Sequence, residues 1–193
     1  NFSRRFSSFK QFKGKEGTTF VAQGASGKEY AIKLFKATKS SAKIQNEAGF
    51  QKLAAAQGIS PRVMAVNTTH KYIVMEKMDA HLVDIMKKQK GNLLRSQQLQ
   101  IIDLFKKLDD IHVFHADSNI LNYMLKGKRI YLIDFGFSKE ITPRLCKTLG
   151  TTHPNIKMMT LGLILKLKEL KCPSSSWKYL RREITNDEIE RFK

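Results

Sequence analysis

The chain is short of acid. Its 193 residues carry 17 Asp and Glu against 35 Lys and Arg, a formal charge of +18, with the cations spread over the whole length rather than gathered in one tail. That balance favours anionic partners: nucleotide, nucleic acid, acidic protein or a membrane surface. Cysteine is nearly absent. Cys146 and Cys172 are the only two, which excludes a disulfide framework and points to a reducing, cytoplasmic site of action. No apolar run approaches the ~20 residues needed to cross a bilayer, so no transmembrane segment is expected. The start, NFSRRFSSFKQFK, has no unbroken apolar segment and does not read as a secretory signal. Zinc spacing, an RNA-binding aromatic signature and a helix-turn-helix are all missing, which disfavours nucleic acid. There is no internal repeat and no low-complexity block.

What is present is concentrated in residues 115–136, HADSNILNYMLKGKRIYLIDFG. His115, Asp117 and Asn122 precede two short apolar strands, Tyr123–Leu125 and Ile130–Ile133, joined across Lys126-Gly127-Lys128-Arg129 as a hairpin. Asp134-Phe135-Gly136 follows. Folding the hairpin about its middle sets Asn122 opposite Asp134, with Asp117 just upstream. An amide oxygen and a carboxylate converging at one mouth suit Mg²⁺, which takes oxygen ligands and keeps substrate phosphates in its shell. The spacing is that of a phosphoryl-transfer site gripping Mg-ATP. The plainer alternative is a hairpin whose Asn and Asp only serve its turns.

Elsewhere the pattern is strands first and helices later, which predicts an α+β body. Residues 18–36 alternate as strands about a Gly24–Gly27 turn. A helix spans 40–57, opened by Ser40 or Ser41 and stopped by Gly58. Val63–Val66 and Tyr72–Met75 form a strand pair. Helices follow at 80–88 and 96–111, and another at 158–170 after an irregular basic loop. The length suits one core or two small lobes sharing a cleft, burying about 70% of the unfolded surface, with residues 76–80 as the crossing point. Phe2, Phe6, Phe9 and Phe12 recur at helical steps among basic residues, which predicts a short amphipathic helix packed on the body.

Two charged residues stand in apolar surroundings. Lys33 interrupts the strand Tyr30–Phe35, and Glu47 lies on the apolar stripe of the following helix with Ile44 and Phe50. A lone buried charge is expensive. The economical arrangement pairs the two and aims Lys33 at a phosphate; the alternative is a snorkelling lysine and a surface glutamate.

Together these motifs resemble the protein kinase superfamily over roughly residues 10–170. Ala31-Ile32-Lys33 resembles its nucleotide-binding strand, Glu47 its helix glutamate, Ile73–Met78 its hinge, and Thr160–Leu165 the buried helix of its second lobe. The resemblance implies a minimal bilobal kinase-like α+β fold in one domain, 1–193, with a β-rich N-lobe at about 10–78 and a truncated helical C-lobe at about 79–193. It implies ATP and Mg²⁺ as cofactors, with Mn²⁺ an alternative to Mg²⁺, and a protein substrate phosphorylated on Ser or Thr. By position, Lys33 contacts the phosphates and Glu47 holds it. Asp117 handles the substrate hydroxyl's proton, with His115 beside it. Asn122 and Asp134 bind metal. Gly14, Gly17, Val21 and Ala31 line the nucleotide, and adenine meets the backbone from Glu76 to Met78.

Departures from the family pattern are specific. Of the glycine loop only Gly14 matches; Glu16 and Thr19 stand at the other two glycine positions and Gly17 is off register. Ala116 replaces the arginine that grips a phosphorylated activation loop, so activity without loop phosphorylation is expected. Asn119 replaces a phosphate-binding lysine, Lys157 an anchoring aspartate, and no Ala-Pro-Glu follows Gly136. Thirty-one residues follow Gly162, too few for the remaining substrate-lobe helices. The small residue in His-Ala-Asp resembles the Bud-type atypical kinases and the aminoglycoside phosphotransferases. The stripped second lobe resembles secreted bacterial effector kinases, one family of which phosphorylates the host's ninety-kilodalton heat-shock chaperone. That resemblance implies delivery into a host cytoplasm and a client-like loop at Thr148–Asn155, for which a plain solvent loop is the alternative. A small-molecule phosphotransferase and a pseudokinase binding module remain as other readings.

Overall fold

The structure is a computed structural model and describes residues 7–13 and 17–192. They divide into two compact units between Met78 and Asp79.

The first unit is an antiparallel sheet carrying one helix. Strands β1 (Ser7–Lys13), β2 (Gly17–Gln23), β3 (Glu29–Phe35), β4 (Val63–Asn67) and β5 (Tyr72–Glu76) lie in the order β1-β2-β3-β5-β4. Side chains alternate across a strand, and here the alternation builds a core on each face. Ala22, Ile32 and Val74 pack with Tyr30 and Tyr72 on one side. Phe35, Ile73 and Met75 pack on the other against Ile44 and Ala48 of helix α1 (Ser41–Ala56). The Ser40 side chain starts that helix by accepting from Lys43 N–H at 3.2 Å. Gly58, at φ 71°, ends it, donating to the Ala55 carbonyl at 3.0 Å.

Residues 7–13 correct one expectation. They form a strand paired with β2, with a bulge between Ser8 and Lys10, rather than an amphipathic helix. An edge strand offers a row of unpaired backbone groups, and pairing along β2 outcompetes the helical spacing of Phe9 and Phe12. Phe2 and Phe6 lie outside the described residues.

Helices dominate the second unit: α2 (Leu82–Lys88), α3 (Arg95–Asp110), α4 (Pro143–Leu149), α5 (Thr160–Glu169) and α6 (Asn186–Phe192). Its strands are short. β6 (Ala80–His81), β8 (Tyr123–Lys126) and β9 (Arg129–Leu132) form one sheet, β7 (Val113–Phe114) and β10 (Lys139–Glu140) another. The helix expected from residue 80 starts two residues later, because Ala80 and His81 pair with Leu125 and Met124. The basic loop expected after Gly136 contains α4, capped by the Thr142 hydroxyl accepting from Leu145 N–H at 3.1 Å and closed by Gly150 at φ 72°.

The apolar stripe of α3 is the centre of this unit, with Ile101, Leu104, Phe105 and Leu108 buried. Phe105 meets the buried Tyr123 ring edge-on at 6.4 Å. Gln100 grips the β8–β9 hairpin, accepting from Ile130 N–H at 3.0 Å and donating to the Lys128 carbonyl at 3.2 Å. The Asp79 carboxylate accepts Gly127 N–H at the turn, at 2.7 Å. Gln98, fully buried, ties the C-terminal stretch to α3: it donates to the Ser175 carbonyl and accepts from Tyr179 N–H, at 2.8 and 2.9 Å. Truncating Phe105 to Ala removes the ring between α3 and the hairpin. A loss of about 3–5 kcal/mol is expected in urea unfolding, with the transition probed by Trp177 fluorescence shifting to lower denaturant.

Candidate functional site

In the first unit the site begins with a buried ion pair. β3 sets Lys33 directly across from Thr19 and Ile73, one rung along from the row Val21–Ala31–Met75, so these side chains share the face that α1 covers. Lys33 Nζ reaches Glu47 Oε2 at 2.9 Å, and Glu47 is 2% exposed. The pairing expected from sequence is therefore present. A second lysine was not expected: Lys39 Nζ sits 3.3 Å from Glu47 Oε1. Both ammoniums lie over the Phe35 ring, 5.1 and 4.9 Å from its centroid, a favourable placement for a desolvated cation. Lys71 holds the loop in place by donating to the carbonyls of Ala37 and Lys39. In the sequence Lys39 reads as a turn lysine in Lys36–Ser41, and only its nearness to the helix start could have flagged it.

The other first-unit candidates divide. Gly17 lies where the strands come closest: a Cβ there would fall 2.0 Å from the Leu34 carbonyl oxygen, reason enough for glycine. Glu76 N–H donates to the Arg62 carbonyl at 2.9 Å, and Met78 is buried at the unit's end. Gly14 and Glu16 lie outside the described residues.

In the second unit the centre is His115, which is fully buried. Its Nε2 lies 2.9 Å from the Ile133 carbonyl, its Nδ1 3.3 Å from the backbone nitrogen of Asp117, and its ring is edge-on to Phe135 at 5.0 Å. A carbonyl accepts and an amide donates, so the ring carries its proton on Nε2. One neutral imidazole thus joins the 115–122 loop to the strand leading into Asp134. Burial pushes the His115 pKa down, against the opposing pull of the Ile133 carbonyl and of the Asp117 and Asp134 charges.

Around it the loop is built from short polar turns. Asp117 Oδ1 accepts Asn119 N–H at 3.1 Å, and Asn119 Oδ1 accepts Leu121 N–H at 3.0 Å. Asn122, buried, donates from Nδ2 to the Asp117 carbonyl at 3.4 Å, so Oδ1 is the side-chain atom with which it could meet a cation. Ala116 and Asp134 are both left-handed, at φ 66° and 64°. The hairpin register differs by one from expectation. It closes on a two-residue Gly127-Lys128 turn between paired Lys126 and Arg129, so Asn122 faces Ile133, whose N–H the Asn122 backbone carbonyl accepts at 2.8 Å. Asp134 lies one residue beyond, turned by its left-handed backbone, with Oδ1 accepting Gly136 N–H at 3.2 Å.

Among the described residues no group of three or more His, Cys, Asp or Glu side chains is placed to hold a metal. Asn122 and Asp134 offer one amide oxygen and one carboxylate. Such a set leaves the remaining positions of a hard cation to water and phosphate, which fits Mg²⁺ better than a fully protein-ligated ion.

Sequence reading missed what anchors this loop. Asn155, the last residue of the expected client-like loop, is fully buried in a wide π-type turn, Asn155–Met159. Its Oδ1 accepts His115 N–H at 3.0 Å and its Nδ2 donates to the Val113 carbonyl at 2.7 Å. The Asp109 carboxylate, on α3, accepts from Asn155 N–H at 2.9 Å, Asn155 Nδ2 at 2.8 Å and Ile156 N–H at 3.1 Å. Burial raises the Asp109 pKa, and these donors oppose the rise. Lys157 does not make this anchor; it donates to Glu188 and to the Glu183 carbonyl, at 3.0 and 2.9 Å. Gly162 of α5 completes the seat, since a Cβ there would lie 2.1 Å from Ser118 Oγ.

Two outcomes are expected. The His115 proton affinity is lower folded than unfolded, so the unfolded chain binds the extra proton and stability falls as pH drops below the ordinary histidine value of 6.5. Urea unfolding between pH 7.5 and 5.5 should show this loss, no steeper than about 1.4 kcal/mol per pH unit from one group, and His115→Gln should flatten it. Gly162→Ala should displace Ser118 and lower the melting temperature, because the added methyl would meet Ser118 Cβ at 2.8 Å as well as its hydroxyl, so rotating the hydroxyl away does not relieve the clash.

A family model described as an ABC1 atypical kinase-like domain matches residues 38–155, more than half of the chain. The chain is also 31% identical over 77 residues to a Bacillus subtilis (strain 168) protein named as a probable serine/threonine-protein kinase, YbdM. That alignment covers 37% of this chain and 30% of the relative, so the likeness spans under a third of that protein's length.

Proposed function

This chain belongs to the ABC1 atypical kinase-like domain family, and from that premise we propose that it is an ATP- and Mg²⁺-dependent protein kinase acting on Ser or Thr. The observation that carries the reading is the Lys33–Glu47 pair, 2.9 Å apart and nearly dry. A buried ion pair is weak support for stability, because apolar residues of similar size often serve a fold better. Its retention on a sheet face rich in aliphatic side chains argues for an ammonium needed for chemistry.

In this reading Glu47 orients Lys33 toward the α- and β-phosphates of ATP, and Val21 and Ala31 flank the base. Adenine takes backbone groups between Glu76 and Met78; the Glu76 N–H already serves Arg62. Asp117 accepts or orients the proton of the substrate hydroxyl. His115 holds the Asp117 backbone while staying neutral in its dry pocket. Asn122 and Asp134 hold the metal, which neutralises charge on the β- and γ-phosphates. Positioning and electrostatics supply most of the rate in such a site, since little covalent chemistry falls to the protein. Ala116 offers no guanidinium to a phosphorylated segment, so the reading includes activity without that modification.

A narrower substrate assignment, a ninety-kilodalton heat-shock chaperone met by a secreted effector, rests on resemblance in the short segment between Gly136 and α5. The exposed part of its client-like loop is short: Thr148 and Leu149 are helical and Pro154 and Asn155 are buried.

Incubation with labelled ATP, Mg²⁺ and eukaryotic lysate, read by mass spectrometry, tests the proposal. Labelled phosphoprotein is expected, with Asp117→Ala lowering transfer at least about 100-fold while melting temperature and Mg-ATP binding stay near wild type. Lys33→Met should weaken nucleotide binding as well. Normal transfer by Asp117→Ala would sink the assignment. A phosphorylated metabolite in place of phosphoprotein would make the chain a small-molecule phosphotransferase, and Mg-ATP binding without turnover would make it a binding module.

A further inference from the structure

We propose that Asp109 and Asn155 are positioning residues that make the seating of residues 136–154 and the placement of Asp117 a single event; the catalytic part of this inference rests on the kinase reading above. Both ends of that segment land on His115. At the near end Ser138 Oγ donates to the His115 carbonyl at 3.2 Å, β10 pairs with β7, and Ile141 N–H donates to the His112 carbonyl at 2.8 Å. At the far end Asn155 Oδ1 accepts His115 N–H at 3.0 Å. His115 in turn accepts Asp117 N–H. The path from α3 to Asp117 therefore runs Asp109, Asn155, His115, Asp117, each link a hydrogen bond.

The chemistry of the first link separates positioning from mere packing. Asp109 is 6% exposed, and its pKa is raised by desolvation. Three N–H donors from Asn155 and Ile156 satisfy it. Holding an ionised carboxylate there is costly, and a neutral side chain could tie α3 to the segment at less expense. What the carboxylate adds is direction: it only accepts, on both oxygens, so a donor must face it from every side. These bonds fix the Asn155 amide so that its oxygen faces His115 and its nitrogen faces Val113 and Asp109. A left-handed alanine follows at 116, a conformation unfavourable for an L-residue that persists only when its neighbours over-determine it. Asn155 is one of those neighbours.

Ordering that other proteins obtain from a charged modification on such a segment is here obtained from a carboxylate within the fold. Lifting the segment from Asn155 would release His115 and Asp117 together, so the exposed side chains of Lys147, Thr148, Thr152 and His153 are places where a partner could weaken the site without touching it.

The test uses the full chain with Asn155→Ala, Asp109→Asn and Asn155→Asp. Backbone amide exchange at residues 115–117 and 136–154 is followed by mass spectrometry beside phosphoryl-transfer kinetics. In Asn155→Ala and Asp109→Asn both stretches should exchange at least tenfold faster, with kcat down at least tenfold and the KM for ATP within twofold. Asn155→Asp sets two carboxylates face to face and should be worst, even to the point of not folding. A lower melting temperature alone, with exchange at residues 115–117 and kcat unchanged in the Ala and Asn variants, would reduce both residues to packing and overturn the inference. If the wild-type chain transfers no phosphate, the kinase reading fails, and the exchange data still decide whether segment and loop move as one.

Discussion

The second unit depends on the neutrality of one imidazole. His115 donates from one ring nitrogen to the Ile133 carbonyl and accepts Asp117 N–H on the other, and an imidazolium cannot do both. Protonation would leave two N–H groups facing one carbonyl and one amide hydrogen in a dry pocket, where an unmatched polar group is costly. Burial keeps the proton off. The loop bearing Asp117 and the strand feeding Asp134 are joined through that ring, and Phe135 packs against its side. The first unit rests on a comparable constraint: a dry carboxylate, Glu47, shared by two ammoniums.

Much of this was legible in the sequence, for identifiable reasons. The α1 helix carried its start and stop in Ser40 and Gly58, and β2, β3, β4 and β5 in their alternation. Lys33 and Glu47 were visible because charge on an apolar face has few explanations. The hairpin was visible because its strands flank a glycine-bearing basic turn, although the turn's two-residue closure shifted the register by one. Polar residues that act by hydrogen bonding at long range were not legible. Asp109 lies 46 residues from Asn155, and nothing local distinguishes an Asp at a helix end or an Asn after Pro154 from ordinary cap and turn residues. Lys39 was hidden for the same reason. Residues 7–13 misled because a phenylalanine spacing suited to a helix says nothing of the strand edge waiting beside it.

Charge is distributed with a purpose that composition alone blurred. Residues 1–78 hold 14 Lys and Arg, four Glu and no Asp. Of those four carboxylates, Glu47 is consumed inside the unit. The second unit holds all the aspartates, Asp117 and Asp134 among them. A unit deficient in carboxylates suits the binding of polyanionic phosphate, and one that keeps its aspartates suits the handling of cations and protons. Residues 1–78 net +10 and residues 79–193 net +8, so both units are cationic; what separates them is that the aspartates all lie in the second.

The contiguity of residues 109–155 has a consequence for how the protein is made. Every hydrogen bond that fixes the 115–122 loop to the strand feeding Asp134 and to the 136–154 segment begins and ends within that stretch. Loops of this size close at modest entropic cost. The hydrogen-bonded core of the site can therefore form from one contiguous stretch once α3 and Asn155 are in place, with Gly162 of α5 adding its contact to Ser118 afterwards. By the same reasoning it forms one cooperative unit of local opening, reporting its own stability in hydrogen exchange apart from the sheet that carries Lys33.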